Sequence, residues 1–336
     1  MSLADDTSPV IAPVIPPVIV VLDGATLAPG IALRRPAVPH VWRNFDRTAT
    51  GEAAERLRDA TVAVVNKVRL DRAALDAAPR LRLVLVAATG MDNIDLAACA
   101  ERGIVVRNVV GYGAATVAEH VFALLLALRR NLIAYRQSVL DGRWEESGQF
   151  CYHDFPVREL QGSRLALVGG GAIGGAVGRI AEAFGMEVVV AARKGQAAAE
   201  GRIPFEEALA TADVLSLHCP LTPETRGLFD ARAFARMERR PILINTARGA
   251  LIDGPALVAA VGRGQVSGVG LDVLAVEPIT ADDPVRAILG HPSVIVTPHV
   301  AWAGRIAQQR IVDALSDALD EFLKVHALPV ADSQPR

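Results

Sequence analysis

A glycine-rich segment, Gly169-Gly170-Gly171-Ala172-Ile173-Gly174, constrains this 336-residue chain more than any other feature. The apolar run Arg164–Val168 before it predicts a β-strand, and Ala172–Phe184 after it predicts a helix. In such a strand–turn–helix the first glycine permits the tight turn. The second lets backbone approach a pyrophosphate, and the third lets helix and strand pack closely. Because the helix N-terminus also offers free N–H groups to phosphates, the segment predicts dinucleotide binding, against the alternative of a plain glycine-rich turn.

Short apolar runs alternate with helical stretches on both sides of this segment. Such alternation predicts an α/β fold of doubly wound parallel sheets with helices packed on them. The length suits two domains of roughly 100–200 residues each. The predicted strands are Val18–Leu22, Thr61–Asn66, Leu81–Val86, Ile104–Asn108, Arg164–Val168, Val188–Ala191, Val214–His218, Ile242–Asn245, Gly268–Leu271 and Val294–Thr297. The principal predicted helices are Asp71–Ala78, Asp95–Arg102, Thr116–Asn131, Ala172–Phe184 and Ala303–Val325.

The segment Asp141–Pro156 differs from its surroundings because it carries four aromatic residues among polar ones and has no periodicity. We interpret it as an irregular arm whose aromatic side chains a second subunit would cover, which predicts a homodimer. Residues 1 to about 16 are interpreted as a loose tail.

Composition excludes several classes of partner. The net charge of −2, with no basic run, argues against a nucleic-acid or membrane-surface partner. Cys99, Cys151 and Cys219 lack metal-site spacing, so reduced thiols in the cytoplasm and no metal site are expected. The apolar stretch Val10–Leu22 follows two aspartates and contains three prolines, which is untypical of a signal peptide, and no transmembrane span is expected.

The residues just after strand Val188–Ala191 predict which dinucleotide binds. An acidic residue there would bind the adenosine ribose 2′-hydroxyl of NAD. This chain has Ala191-Ala192-Arg193-Lys194 instead, and a 2′-phosphate pairs well with arginine and lysine. Lysine is also rare here, since only three of the 35 basic residues are lysines. The pattern favours NADP over NAD, with a solvated basic turn as the alternative.

Three polar segments follow predicted strands of the second half. They are Asn245-Thr246-Ala247-Arg248-Gly249, Asp272-Val273-Leu274-Ala275-Val276-Glu277-Pro278 and Thr297-Pro298-His299. In open α/β sheets the ligand crevice lies at the carboxyl ends of the strands. An arginine, a glutamate and a histidine delivered to that edge can share one site.

With these motifs the chain resembles the D-isomer-specific 2-hydroxyacid dehydrogenase family. The motifs occur in the family's order between about Val18 and Phe322. Within the family, the chain looks like the glycerate dehydrogenase (hydroxypyruvate reductase) branch. The matching segments are the glycine-rich loop, Ala88–Asp95, Ile244–Gly249, Gly270–Val273, Val276–Pro278 and Thr297–His299, and for the branch Asn66–Val68, Arg143–Ser147, Gln149–Tyr152 and His299–Ala303.

The resemblance implies a flavodoxin-like substrate domain (residues 1–114 and 307–336) into which a Rossmann nucleotide-binding domain (residues 115–306) is inserted. It implies catalytic roles for Arg248, Glu277 and His299. The expected cofactor-binding residues are Gly169, Gly171, Ala172, Ile173, Gly174, Arg193, Lys194, His218, Cys219, Pro220, Thr246, Ala247, Arg248, Asp272, His299 and Ala301. The expected substrate-binding residues are Lys67, Ala88, Thr89, Gly90, Arg248, His299 and Trp302.

The physical roles follow from the reaction that the resemblance implies, reduction of a small 2-oxo acid at C2. His299 would protonate the carbonyl oxygen, since imidazole titrates near neutral pH. Glu277 would orient that ring and favour its charged form. Arg248 would grip the substrate carboxylate with two parallel hydrogen bonds. Each residue alone has a bland alternative: a structural histidine, a helix-starting Glu-Pro pair and a solvated arginine.

Several residues keep two interpretations. Lys67 would face the substrate, or it is an exposed loop lysine. Asp272 would bind the nicotinamide carboxamide by resemblance, or it caps the sheet edge. His120 is interpreted as a hydrogen-bonded structural residue, and His218 as a backbone contact of the dinucleotide.

A dinucleotide-sensing binding protein of the same fold and a reductase for another 2-oxo acid remain open as alternatives. Formate dehydrogenases of similar pattern carry Gln where this chain has Glu277, which disfavours formate. A dinucleotide-sensing corepressor of the same fold would retain the Arg-Glu-His set, but nothing here resembles an added interaction tail.

Overall fold

The computed structural model describes residues 16–49 and 51–326. The chain divides into two compact units. The terminal unit combines residues up to Tyr112 with those from Arg305 onward, and the central unit is Gly113–Gly304. The predicted tail lies largely outside the described residues.

Eleven strands are found within the described residues. They are β1 Val18–Val21, β2 Val41–Asn44, β3 Val62–Val65, β4 Leu83–Val86, β5 Val105–Asn108, β6 Arg164–Val168, β7 Glu187–Val190, β8 Val214–Leu217, β9 Ile242–Asn245, β10 Gly268–Leu271 and β11 Val294–Val296.

Eleven α-helices connect them in the same part of the chain. They are α1 Glu52–Arg56, α2 Arg72–Asp76, α3 Leu96–Glu101, α4 Ala114–Arg129, α5 Leu132–Leu140, α6 Arg143–Ser147, α7 Ala172–Ala183, α8 Phe205–Thr211, α9 Ala231–Ala235, α10 Gly254–Gly262 and α11 Arg305–His326.

The terminal unit is a five-stranded parallel sheet in the order β2-β1-β3-β4-β5. Strands β1, β3 and β4 are fully buried apolar runs, as expected where helices cover both faces. Helix α11 packs on β4 and docks onto the chain after β1. The buried Gln308 Oε1 accepts from Ala28 N at 2.8 Å, and Ser316 Oγ accepts from Arg34 N at 3.0 Å. Both ends of the described chain therefore build one unit.

The central unit is a six-stranded parallel sheet in the order β11-β10-β9-β8-β6-β7. Helix α4 packs against α7, β9 and β10 on one face, where Val121 and Leu125 are fully buried. The other face is covered by a cluster around Phe205, Phe229 and Phe234. The predicted fold class, two doubly wound parallel-sheet α/β domains, is confirmed.

The arm departs in part from its prediction as irregular structure. Arg143–Ser147 forms the short helix α6, directly after helix α5, so the interpretation without any regular element was wrong there. The remainder is irregular and is held locally, because Arg143 pairs with Asp154 at 2.7 Å and Tyr135 Oη donates to Phe155 O at 2.7 Å. Trp144 and Phe150 stay exposed, the latter to 89%.

Candidate active site

The glycine-rich loop is shaped by close backbone contacts. Gly169 has φ +111°, and a Cβ on it would lie 2.6 Å from the carbonyl carbon of His218. A Cβ on Gly174 would lie 2.1 Å from the carbonyl oxygen of Gly169. Both approaches are closer than any side chain permits, so the tight turn between β6 and α7 requires glycine at these two positions.

Gly171 is different, because a Cβ there would meet no atom within 4 Å. It stands immediately before helix α7, so the N–H groups of the first turn, including those of Ala172 and Ile173, lack intrahelical partners. An open glycine beside free N–H groups at a helix N-terminus is a site for a phosphate.

Beyond β7 the chain carries the predicted basic pair. Ala191 and Ala192 are buried, whereas the side chains of Arg193 and Lys194 are exposed. Lys194 Nζ lies 3.7 Å from Asp230 Oδ2. The pKa of the Asp230 carboxyl is lowered by the N–H of Ala233 and further by this lysine.

The segment after β8 lies against the glycine-rich loop. His218 Nε2 is 2.9 Å from Ser216 Oγ, and burial lowers the pKa of His218 to about 4. The imidazole is therefore neutral at pH 7. Burial likewise raises the pKa of the Cys219 thiol, so that group is not a thiolate nucleophile.

Arg248 is positioned by the turn that follows β9. The buried Asn245 closes this turn, since its Nδ2 donates to Arg248 O at 2.9 Å and its Oδ1 accepts from Ala247 N at 3.0 Å. Next in sequence, a Cβ on Gly249 would lie 1.9 Å from the carbonyl carbon of Leu274. The backbone of the half-buried Arg248 turn therefore lies directly against the segment that leads to Glu277, and only glycine fits at position 249.

His299 and Glu277 form a direct pair. His299 Nδ1 lies 2.6 Å from Glu277 Oε2, and Glu277 Oε1 accepts from Leu274 N at 2.9 Å. The carboxylate is thus held from both sides, which fixes the imidazole plane. His299 itself has φ +55°, a left-handed conformation that is uncommon outside glycine and typical of functional sites. The His299 and Glu277 side chains remain 24% and 36% exposed, so substrate can reach them.

Asp272 holds the loop that bears His299. Its carboxylate, only 1% exposed, accepts from Val300 N and Ala301 N at 2.9 Å each, while His299 N donates to its carbonyl at 2.8 Å. Thr297 Oγ1 also donates to Oδ1 at 2.5 Å, and His120 Nε2 lies 2.9 Å from that hydroxyl. The geometry agrees with the capping alternative and with a structural His120. A contact of Asp272 with the carboxamide stays a prediction.

Strand register explains why these residues meet at one edge. Asn245 of β9 pairs with Leu271 of β10, and Leu271 pairs with Val296 of β11. The segments that carry Arg248, Glu277 and His299 therefore leave neighbouring parallel strands at the same level. Trp302 joins them because its Nε1 donates to His299 O at 2.9 Å. The Glu277–Pro278 peptide is cis and starts no helix, unlike the bland alternative for a Glu-Pro pair.

In the terminal unit, the exposed Lys67 lies in a loop whose backbone is held by Asp23. Asp23, 6% exposed, accepts the backbone N–H groups of Asn66, Lys67 and Val68 at 2.6–3.2 Å. An aspartate directly after a buried strand is the signal in the sequence for this role. Ala88, Thr89 and Gly90 follow β4, and Thr89 O accepts from Asn108 Nδ2 at 2.6 Å.

Two observations test whether a dinucleotide suits the central unit. Thr246 Oγ1, in the predicted cofactor segment, is buried and has no hydrogen-bond partner among the described residues. A bound group that supplies the missing partner would satisfy it. The open space at Gly171 is the second, since it leaves room for a pyrophosphate against backbone N–H groups. These residues fit the cofactor.

The described residues hold no group of three histidine, cysteine, aspartate or glutamate side chains suited to a metal ion. None of the helices among them is both long and apolar enough to cross a membrane.

Comparison with known proteins adds three relatives. Glycerate dehydrogenase of Methylorubrum extorquens is 42% identical over 286 residues, covering 85% of this chain and 90% of the relative. Hydroxypyruvate reductase of Blautia hydrogenotrophica is 37% identical over 314 residues, covering 91% and 97%. The solved NADPH-dependent glyoxylate/hydroxypyruvate reductase of Sinorhizobium meliloti, in complex with NADP and malonate, superposes with a TM-score of 0.75 at 29% identity, covering 91% and 93%.

Fold, site and relatives define an NAD(P)-dependent oxidoreductase. The family model for the NAD-binding domain of D-isomer-specific 2-hydroxyacid dehydrogenases matches residues 122–301. The chain belongs to this family, and its substrates are small 2-oxo acids.

Proposed function

We propose that this enzyme is a glycerate dehydrogenase that works as a hydroxypyruvate and glyoxylate reductase with NADPH preferred. The observation that carries the proposal is the 2.6 Å pair of His299 and Glu277 at the strand edge that also presents Arg248. The names of the relatives support the choice of substrate.

The acid–base chemistry belongs to His299. When bound, the reduced nicotinamide supplies the hydride that C2 of the substrate receives. The carbonyl oxygen gains negative charge as the hydride arrives, and His299 Nε2 donates a proton to it. Glu277 accepts a hydrogen bond from Nδ1–H of His299 and stabilises the imidazolium before that transfer. In the opposite direction, neutral His299 removes the hydroxyl proton.

Arg248, Lys67 and the backbone after β4 are the proposed substrate-binding groups. A guanidinium can donate two parallel hydrogen bonds to the 2-oxo acid, which fixes the carbonyl for attack. Backbone N–H groups of Ala88, Thr89 and Gly90 bind the carboxylate. Lys67 faces the hydroxymethyl end, in a loop that Asp23 keeps rigid through three N–H groups.

The preference for NADPH rests on the end of β7. No carboxylate occupies the Ala191–Lys194 turn, where the ribose 2′-group of NAD would need one. Arg193 and Lys194 are exposed and can pair with a 2′-phosphate.

A homodimer and a cytoplasmic location complete the proposal. The arm exposes Trp144 and Phe150, and Leu140 at the end of α5 is exposed as well, which is the kind of apolar surface that a second subunit covers. The three cysteines are free thiols, consistent with a reducing compartment.

A substrate panel tests the function. Hydroxypyruvate, glyoxylate and pyruvate are each offered with NADPH and with NADH, and kcat/KM is measured from the loss of reduced nicotinamide. We expect hydroxypyruvate and glyoxylate with NADPH to give the highest values. Lys67→Ala should raise KM for hydroxypyruvate, while Lys324→Ala, an exposed lysine of α11, should not. Turnover of none of these acids would contradict the proposal and favour a dinucleotide-sensing binding protein.

A further inference from the structure

A third cation stands near the dinucleotide site, and it comes from a different part of the chain than Arg193 and Lys194. Ile203 N donates to Val190 O at 3.0 Å, and Ala192 N donates to Ile203 O at 2.8 Å. These two bonds lay the segment Arg202–Ile203 alongside the carboxyl end of the edge strand β7. Arg202, twelve residues after the end of β7, therefore lies beside the glycine-rich loop.

The guanidinium of Arg202 lies between two parts of the site. Its Nη1 donates to Ala191 O at 3.3 Å, at the start of the basic turn. Its Nη2 lies 3.7 Å from the position that a Cβ on Gly170, in the glycine-rich loop, would take. The side chain thus spans the space between the pyrophosphate loop and the turn that meets the ribose 2′-group.

The neighbouring cations differ from Arg202 in their partners. Lys194 Nζ lies 3.7 Å from the Asp230 carboxylate. Arg193 lies near the carboxylate of Glu224. Hydrogen bonds from Thr222 and from the Glu224 backbone lower the pKa of that carboxyl, and the charge of Arg193 lowers it further. Within the described chain, the hydrogen bond of Arg202 ends on a neutral carbonyl. The positive charge of Arg202 is therefore less neutralised by carboxylates than the charges of Arg193 and Lys194, so it can bind an anion.

We infer that Arg202 binds the adenosine 2′-phosphate of NADP and that it, with Arg193 and Lys194, sets the preference for NADPH. A guanidinium already oriented by one hydrogen bond loses less side-chain entropy when its fork meets a phosphate. The inference deepens the proposed NADPH preference and rests on it.

Binding of nucleotide fragments tests this inference without turnover. Adenosine 2′,5′-diphosphate and 5′-AMP differ in the 2′-phosphate alone. Isothermal titration of each into the full-length enzyme gives two dissociation constants whose ratio measures recognition of that phosphate. We expect Arg202→Gln to weaken 2′,5′-ADP by about tenfold, as for one charge-assisted contact at an exposed site, and to leave 5′-AMP unchanged. Arg202→Lys should keep part of the affinity, since it retains the charge.

Arg263→Gln is the matched control, because it removes one exposed arginine after α10 and should change neither constant. Thermal melting of each variant shows whether the fold is intact, and the single 3.3 Å hydrogen bond of Arg202 leaves little stability to lose. Raising the salt concentration should reduce the wild-type ratio, as a phosphate contact requires.

The outcomes separate this inference from the cofactor proposal. If the wild type prefers 2′,5′-ADP and Arg202→Gln keeps the full preference, the role of Arg202 is overturned while the NADPH preference stands. Equal losses for both fragments would place Arg202 at the 5′-phosphate and also overturn it. A wild type that binds both fragments equally overturns the NADPH preference and the inference together.

Discussion

At the scale of single residues, the site works through hydrogen bonds that leave each group one orientation. Both oxygens of Glu277 are occupied, one by Leu274 N and the other by His299. The imidazole can then rotate only by breaking the 2.6 Å contact. Its Nε2 is consequently presented in one direction, which is what a proton donor requires.

Glu277→Gln should slow the proposed reaction. The amide keeps the size of the side chain but removes the negative charge that stabilises the imidazolium. We expect kcat for hydroxypyruvate reduction to fall by about 100-fold, within the range for acid–base groups.

Steady-state kcat and KM for hydroxypyruvate measure this effect. Glu238→Gln, which changes another exposed glutamate, should leave both constants unchanged. A Glu277→Gln enzyme that loses stability but keeps the wild-type kcat would reduce Glu277 to a structural role.

His218 predicts an acid sensitivity of folding. Burial lowers its pKa from the ordinary value of 6.5 to about 4, so the unfolded chain binds the proton more readily between these values. The folded state therefore loses stability as the pH falls from about 6.5 to 4, and the loss ends below that range. Between pH 7 and pH 5 this amounts to about 2 kcal/mol of unfolding free energy.

Urea unfolding at these two pH values, compared between the wild type and His218→Gln, isolates the contribution. The variant cannot titrate at this position, so its stability should fall by about 2 kcal/mol less than that of the wild type over the same interval. Identical pH dependence in both proteins would contradict the assignment.

At the scale of elements, the glycine-rich loop separates folding from binding. Gly174 is required by packing, because a Cβ there would lie 2.1 Å from Gly169 O. Gly171 has open space around it and is required only if a ligand enters that space. Two alanine substitutions three residues apart should therefore have opposite signatures.

We expect Gly171→Ala to melt at the wild-type temperature and to bind NADPH at least tenfold more weakly, because its methyl group occupies the proposed pyrophosphate space. Gly174→Ala should lose several degrees of Tm, since the loop and α7 must separate. Calorimetry and titration of NADPH fluorescence measure the two properties. Unchanged NADPH affinity in Gly171→Ala would contradict the proposed place of the pyrophosphate.

Elements also show what the sequence can reveal. Strands such as β6, β9 and β10 are continuous apolar runs, and the structure has them at the predicted bounds. Strand β2 was not predicted, because Val41–Asn44 is half-exposed and mixes polar with apolar side chains, as edge strands do. Its pairing with β1 is a long-range contact that local pattern does not contain.

The same distinction holds within the site. Arg248, Glu277 and His299 stand in local motifs at strand ends, so their segments could be named from the sequence. Arg202 stands in no such motif, and its place depends on the pairing of Ile203 with the end of β7. Asp23 depends likewise on the neighbouring strand β3, after which its three N–H donors lie.

At the scale of the whole molecule, the arm carries large apolar side chains that a single chain leaves exposed to solvent. Its base is held by the hydrogen bond from Tyr135 and by the Arg143–Asp154 pair, while Trp144 and Phe150 are exposed. Burial of large apolar side chains against a second surface lowers the free energy by about 25 cal/mol per Å² of apolar surface removed from water. A second copy of this chain is the occupant we propose.

The homodimer predicts a particular response to substitution. Sedimentation of the wild type should give twice the mass of one chain, and the double variant Trp144→Ser, Phe150→Ser should shift toward the monomer as it is diluted. Leu289→Ser removes an exposed apolar side chain outside the arm and should leave the mass unchanged. The double variant loses the hydrogen bond from Trp144 Nε1 to Gln149 O. The other hydrogen bonds of the arm involve other side chains or the backbone, so the double variant should retain most of its fold. A wild-type protein that sediments as a monomer at every concentration would contradict the proposal and leave the arm's exposed aromatic residues to another partner.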